Sequence, residues 1–172
     1  MVKKDSQSIC KEATFKGIFE KYNKEVYQFL YYKYGSDNNP QDLVQEAFIK
    51  LWDNCKNVPI DKARSFLFTV ANNQMLNALS RRKTVLNFVK EDHKTTTFET
   101  PEYLMEENEY SERLQLALES LTEEQRVTFM LNRVEGKKHQ EIADLLEISR
   151  KAVEKRIYTT LKILKSKLEN FG

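Results

Sequence analysis

Between Lys138 and Leu161 the run KHQEIADLLEISRKAVEKRIYTTL carries two helical patterns of apolar residues on either side of a short corner. Ile142, Ala143 and Leu146 make the inner face of the first helix, and Val153, Ile157 and Leu161 that of the second. Ile148 plugs the corner, and Ala143 is small where two helices must approach closely. Ser149 is placed to cap the second helix through its hydroxyl. This spacing predicts a helix-turn-helix. Its outward residues are Arg150, Lys151, Glu154, Lys155, Tyr158 and Thr159. Such residues reach bases and phosphates when a helix of this kind lies in a major groove, and an acid such as Glu154 can accept from cytosine N4.

The rest of the chain reads as helix too. Phe15, Ile18, Phe19, Tyr22, Val26, Phe29 and Leu30 recur at helical spacing, and the turn-forming run from Gly35 to Pro40 ends that helix. A second helix is predicted from about Gln41 to Asp53, with Leu43, Val44, Ala47, Phe48, Leu51 and Trp52 on its apolar face. A third runs from about Ala63 to Lys83. With 4 glycines and 3 prolines in 172 residues, the tight turns of a β-protein are hard to supply. The fold class is all-α: two helical domains joined by a linker. Thr122 opens a further helix as N-cap, with Gln125 positioned to complete a capping box, and Gly136 closes it.

Net charge is only +2, so charge informs through its distribution. Between Lys62 and Lys90 lie six basic residues and no acid; between Ser149 and Leu168 lie seven against Glu154 alone. An acidic stretch separates them, from Glu91 to Glu112, with no helical apolar period in its first part; helix is possible from Pro101 onward. Two basic helices on two domains suit two contacts with one polyanion. On the predicted second helix, Asp42, Gln45, Glu46, Ile49 and Asp53 share the solvated face. An isoleucine among acids there suggests a docking spot with a polar rim. In the third helix, Asn72, Asn73 and Asn77 are poor helix formers in mid-helix, which points to contact chemistry.

From LTEEQRV through EKRI the chain resembles region 4 of the extracytoplasmic-function class of sigma factors. FEKYNKEVYQFLYYKYG, PQDLVQEAFIKLW and ARSFLFTVANNQMLNALSRRK resemble region 2, in family order and spacing. The resemblance covers about Phe15 to Leu168. It implies a tail over residues 1–12, a region 2 domain over 13–90, the acidic linker over 91–110 and a region 4 domain over 111–172.

It also implies roles. Asp42, Gln45, Glu46, Ile49, Trp52 and Asp53 would dock on the β′ clamp helices of core RNA polymerase, with the β flap as a second polymerase contact. Asp61, Lys62, Arg64, Asn73, Asn77, Arg81, Arg82 and Lys83 would open and hold the minus-10 element, amides reading base edges and cations holding phosphates. Phe66 and Phe68 are candidates for stacking on bases, with core packing favoured for Phe66. The six outward residues of the helix-turn-helix would read minus-35 duplex. An anti-sigma factor is a further implied partner, and the linker would thread toward the RNA exit path. The family commonly has glycine in the corner, where this chain has Glu147; a left-handed residue there costs a side chain about 1–2 kcal/mol, so an adjusted turn is anticipated.

Other classes fit less well. Cys10 and Cys55 show no metal-site or disulfide-framework spacing and read as free buried thiols in a reducing cytosol. His93 and His139 are the only histidines, and no nucleophile–base pair or phosphate loop accompanies them, so neither an enzyme, a cofactor, a metal nor a small-molecule substrate is indicated. No signal peptide and no apolar run of about 18 residues is present, so a cytoplasmic protein without membrane contact is expected. A stand-alone regulator with one helix-turn-helix would explain the C-terminal half alone; binding to core polymerase separates the two readings.

Overall fold

The computed structural model describes residues 8–88 and 108–169, with side chains described for 8–83 and 112–169. The described residues are helical throughout their regular structure. They comprise α1 (Glu12–Tyr34), α2 (Pro40–Asp53), a 3₁₀ turn (Ile60–Lys62), α3 (Ala63–Phe88), α4 (Asn108–Glu119), α5 (Glu123–Arg133), α6 (His139–Leu146) and α7 (Arg150–Glu169). The chain divides into two compact units: one takes the chain to Tyr31 and from Asp37 through α3, the other takes Tyr32–Ser36 and α4 onward. The acidic linker assigned to 91–110 lies almost wholly outside the described residues, as does helix predicted from Pro101; only its end enters α4.

The first unit turns the apolar faces of its helices into a common core. Pro40 sits in the first turn of α2, where its missing N–H costs nothing, and Asn39 before it adopts the left-handed conformation (φ 48°) that asparagine tolerates. Val44, Ala47 and Leu51 then fall on one face and are buried. Leu67, Ala71 and Met75 do the same on α3, and Ile18, Val26 and Leu30 on α1. Each large side chain removed from water in this way stabilises by roughly 1.5–3 kcal/mol. Phe68 is buried, with its ring 5.3 Å from that of Phe29, whereas Phe66 is half-buried. This reverses the sequence expectation, which favoured Phe66 for the core: the register of α3 turns Phe68 inward with Leu67 and Ala71.

The cysteines also depart from expectation. Cys10, just before α1, and Cys55, just after α2, are joined in a disulfide, with Cα atoms 5.0 Å apart across a sequence separation of 45. The fold brings the two chain segments to the separation a disulfide requires, which spacing along the sequence cannot reveal.

The second unit packs α4, α5 and α6 around α7. Thr122 accepts from the Gln125 N–H at 3.2 Å while Gln125 Oε1 accepts from the Thr122 N–H at 3.1 Å, the anticipated capping box. Gly136 (φ 64°) follows α5 and lets the chain reverse. Leu131, Ile142 and Val153 are fully enclosed. On α6 the buried leucine is Leu145 rather than Leu146; on α7 Leu161 is 50% exposed, and Thr160 and Leu164 continue the buried stripe from Val153 and Ile157. That stripe, at steps of four, three and four, drifts away from Leu161 because 3.6 residues make a turn.

Candidate nucleic-acid interface

The corner between α6 and α7 is tight. Glu147 takes the left-handed conformation at φ 55°, ψ 41°, with its N–H bonded to the Ala143 carbonyl. The Ile148 N–H reaches the same carbonyl at 3.0 Å. The glycine geometry is therefore kept by a glutamate, and the adjusted turn anticipated from the sequence is not found. Ser149 Oγ accepts from the Ala152 N–H at 3.1 Å, the predicted cap of α7.

Arg150, Lys151, Glu154, Lys155 and Tyr158 are exposed on one side of α7, and Thr159 is half-buried at its margin. Tyr158 is 71% exposed, an unusual position for a large ring in the absence of a partner. Glu154 is engaged: Arg150 Nε donates to its Oε1 at 3.0 Å, and His139 Nδ1 lies 3.7 Å from the same oxygen. On the far side, Arg156 Nη2 donates to Glu124 Oε2 at 2.6 Å, tying α7 to α5. The basic residues of α7 are thus divided between those that brace the unit and those that project.

In the first unit, Asp61 and Lys62 are exposed in the 3₁₀ turn, and Asn73, Asn77, Arg81 and Lys83 are exposed along α3. Two residues assigned to phosphates have local duties. Arg64 lies 3.8 Å from Glu25 and over the Phe68 ring at 5.7 Å, and Arg82 Nη1 donates to Asn38 Oδ1 at 3.3 Å. Leu76 is 47% exposed between Asn73 and Asn77, and sequence reasoning missed it. Its spacing from both amides would have revealed it, since i, i+3 and i+4 share a helical face.

The outer face of α2 carries exposed Asp42, Gln45, Glu46, Ile49 and Asp53. Ile49 is 59% and Trp52 41% exposed. Behind them stands an aromatic cluster: Phe15 contacts Trp52 edge-on at 5.0 Å, and Phe19 contacts Phe48 at 4.9 Å. Trp52 was assigned to the apolar face of α2; it sits at the border, one side on Phe15 and the other open.

Residues 18–85 match the family described as Sigma-70 region 2, and residues 111–164 match Sigma-70, region 4. The chain is 24% identical over 165 residues to the ECF RNA polymerase sigma factor SigX of Bacillus subtilis (strain 168), covering 92% of this chain and 85% of that one. It is 28% identical over 136 residues to the ECF RNA polymerase sigma factor SigE of Mycolicibacterium smegmatis (strain ATCC 700084 / mc(2)155), covering 77% of this chain and 53% of that one. The fold is similar to that of the sigma factor RpoE from Bartonella quintana, solved in complex with the anti-sigma factor NepR, with a TM-score of 0.63, 16% identity, and coverage of 90% of this chain and 96% of that one. The two matched regions and these relatives place the chain in the sigma-70 family, among its extracytoplasmic-function members, which are promoter-recognising transcription initiation factors. Among the described residues, no helix is long and apolar enough to cross a membrane.

Proposed function

We propose that the chain binds core RNA polymerase through the outer face of α2 and carries it to promoters, with no catalysis of its own. Ile49 and Trp52 supply the apolar centre of the docking surface, and Asp42, Gln45, Glu46 and Asp53 its polar, mostly acidic rim, chemistry suited to the β′ clamp helices. The helix-turn-helix enters minus-35 duplex with Arg150, Lys151, Lys155 and Tyr158 foremost and Thr159 at the edge, and the same unit contacts the β flap. The 3₁₀ turn and α3 act on the minus-10 element. There Asn73 and Asn77 read bases, and Asp61, Lys62, Arg81 and Lys83 line the path of the strand, while Arg64 and Arg82 shape the surface from within.

In this reading, region 2 spans 13–90 and region 4 spans 111–172. The protein works in the cytoplasm under an anti-sigma factor, as the relative bound to NepR suggests. The observation that carries this reading is the exposure of Ile49 and Trp52 on an acidic helix.

The test is co-elution of the purified chain with sigma-free core polymerase, followed by run-off transcription from a promoter library. Ile49→Glu abolishes co-elution and transcription; Lys155→Glu with Tyr158→Ala abolishes transcription and keeps co-elution. Sequence-specific duplex binding without co-elution of the wild type would instead establish a stand-alone regulator.

A further inference from the structure

We infer that Cys10 and Cys55 form an exchangeable dithiol–disulfide pair that sets the affinity of the α2 docking face for polymerase. The inference rests on the docking role proposed above for Ile49 and Trp52.

The bond joins two places of consequence. Cys55 follows the end of α2, its N–H bonded to the Trp52 carbonyl at 3.1 Å. Cys10 precedes α1, beside fully buried Ile9 and inside the turn in which the Lys11 N–H meets the Ser8 carbonyl at 3.1 Å. Phe15, one turn into α1, carries the ring against which Trp52 rests. The disulfide therefore staples the start of the helix bearing Phe15 to the end of the helix bearing Ile49 and Trp52. A staple across two segments 45 residues apart removes freedom that the dithiol form regains. A face held in one geometry binds more tightly than one that must be ordered on contact.

Both cysteines are half-buried rather than enclosed. In the cytoplasm proposed for this protein, a disulfide is more often transient and redox-sensing than structural. The reaction is thiol–disulfide exchange with a low-molecular-weight disulfide. One cysteine thiolate attacks it, releasing one small thiol and forming a mixed disulfide. The second cysteine thiolate then displaces the other small thiol, closing the Cys10–Cys55 bond. The protein pair loses two electrons and two protons, and the small disulfide gains both as two thiols.

Trp52, the single tryptophan, reports on this site directly. The full chain is poised in glutathione disulfide or in dithiothreitol and desalted before use. Free thiols are counted, the crosslink is mapped by peptide mass, Trp52 emission is recorded, and affinity for core polymerase is measured. The expected result is loss of both thiols into a Cys10–Cys55 crosslink, a change in Trp52 emission, and binding at least about threefold tighter than the reduced chain. The Cys10→Ser/Cys55→Ser chain matches the reduced protein in both buffers.

Thiols that persist in glutathione disulfide overturn the inference, as does equal affinity of crosslinked and reduced chains. In the latter case, loss of binding in Ile49→Glu shows that the docking role survives and only the coupling fails. An Ile49→Glu chain that crosslinks normally and binds polymerase as wild type overturns the docking role and the coupling together.

Discussion

Arg150 donates its Nε hydrogen bond to Glu154 one turn further along α7, at 3.0 Å, so the one acid on the projecting face of the helix-turn-helix is partnered within its own helix. Both side chains are well exposed, and such a pair contributes at most about 0.5 kcal/mol to stability. Its effect falls on binding. Glu154→Ala leaves the melting temperature nearly unchanged and releases a guanidinium to phosphate. Affinity for unrelated duplex rises, and the slope of log K against log salt steepens by roughly 0.9. A salt titration with the slope of wild type would mean that Arg150 already contacts phosphate despite its partner.

Glu147 holds a left-handed conformation that favours glycine. Glu147→Gly relieves about 1 kcal/mol of backbone strain, lessened by the greater freedom of glycine in the unfolded chain. Urea unfolding should show a small gain in stability with an unchanged m-value. Glu147→Val should be clearly destabilised, since a branched Cβ suits this conformation least.

The buried stripe of α7 gives a paired test. Leu164 is enclosed and Leu161 is half outside, so Leu164→Ala costs about 2–4 kcal/mol and Leu161→Ala less than about 1. Equal costs in thermal melts would contradict the register described for this helix.

Thr160 is fully buried, and among the described residues its hydroxyl oxygen meets no hydrogen-bond partner. Thr160→Val keeps the shape and removes the unmet polar group. It should raise stability by about 1 kcal/mol, measured by denaturant midpoint. A loss of similar size would mean that the hydroxyl is satisfied in solution.

Local signals carried much of this architecture. The Thr122–Gln125 box, the Ser149 cap and the bounds of α6 rest on interactions within four residues, which a sequence displays directly. Contacts between distant segments were not legible. Nothing near Cys10 points to Cys55, and nothing near Arg64 points to Glu25. Periodicity shows that α3 has an inner face, yet choosing between Phe66 and Phe68 needs the angle at which α3 meets Phe29 of α1. The candidate surfaces were legible as sets of residue types on a helix. Which members brace the fold and which project depended on partners elsewhere in the chain.

Gln74 of α3 donates to Glu46 of α2 at 2.7 Å, across two helices that pack directly on each other. Glu46 belongs to the face proposed for polymerase, and Gln74 follows Asn73 on the helix proposed for the opened strand. A grip on α2 would therefore reach α3 through this bond as well as through the packing of the two helices. In the proposed reading the two helices form a jig: an enzyme that holds one would help aim the other at the DNA.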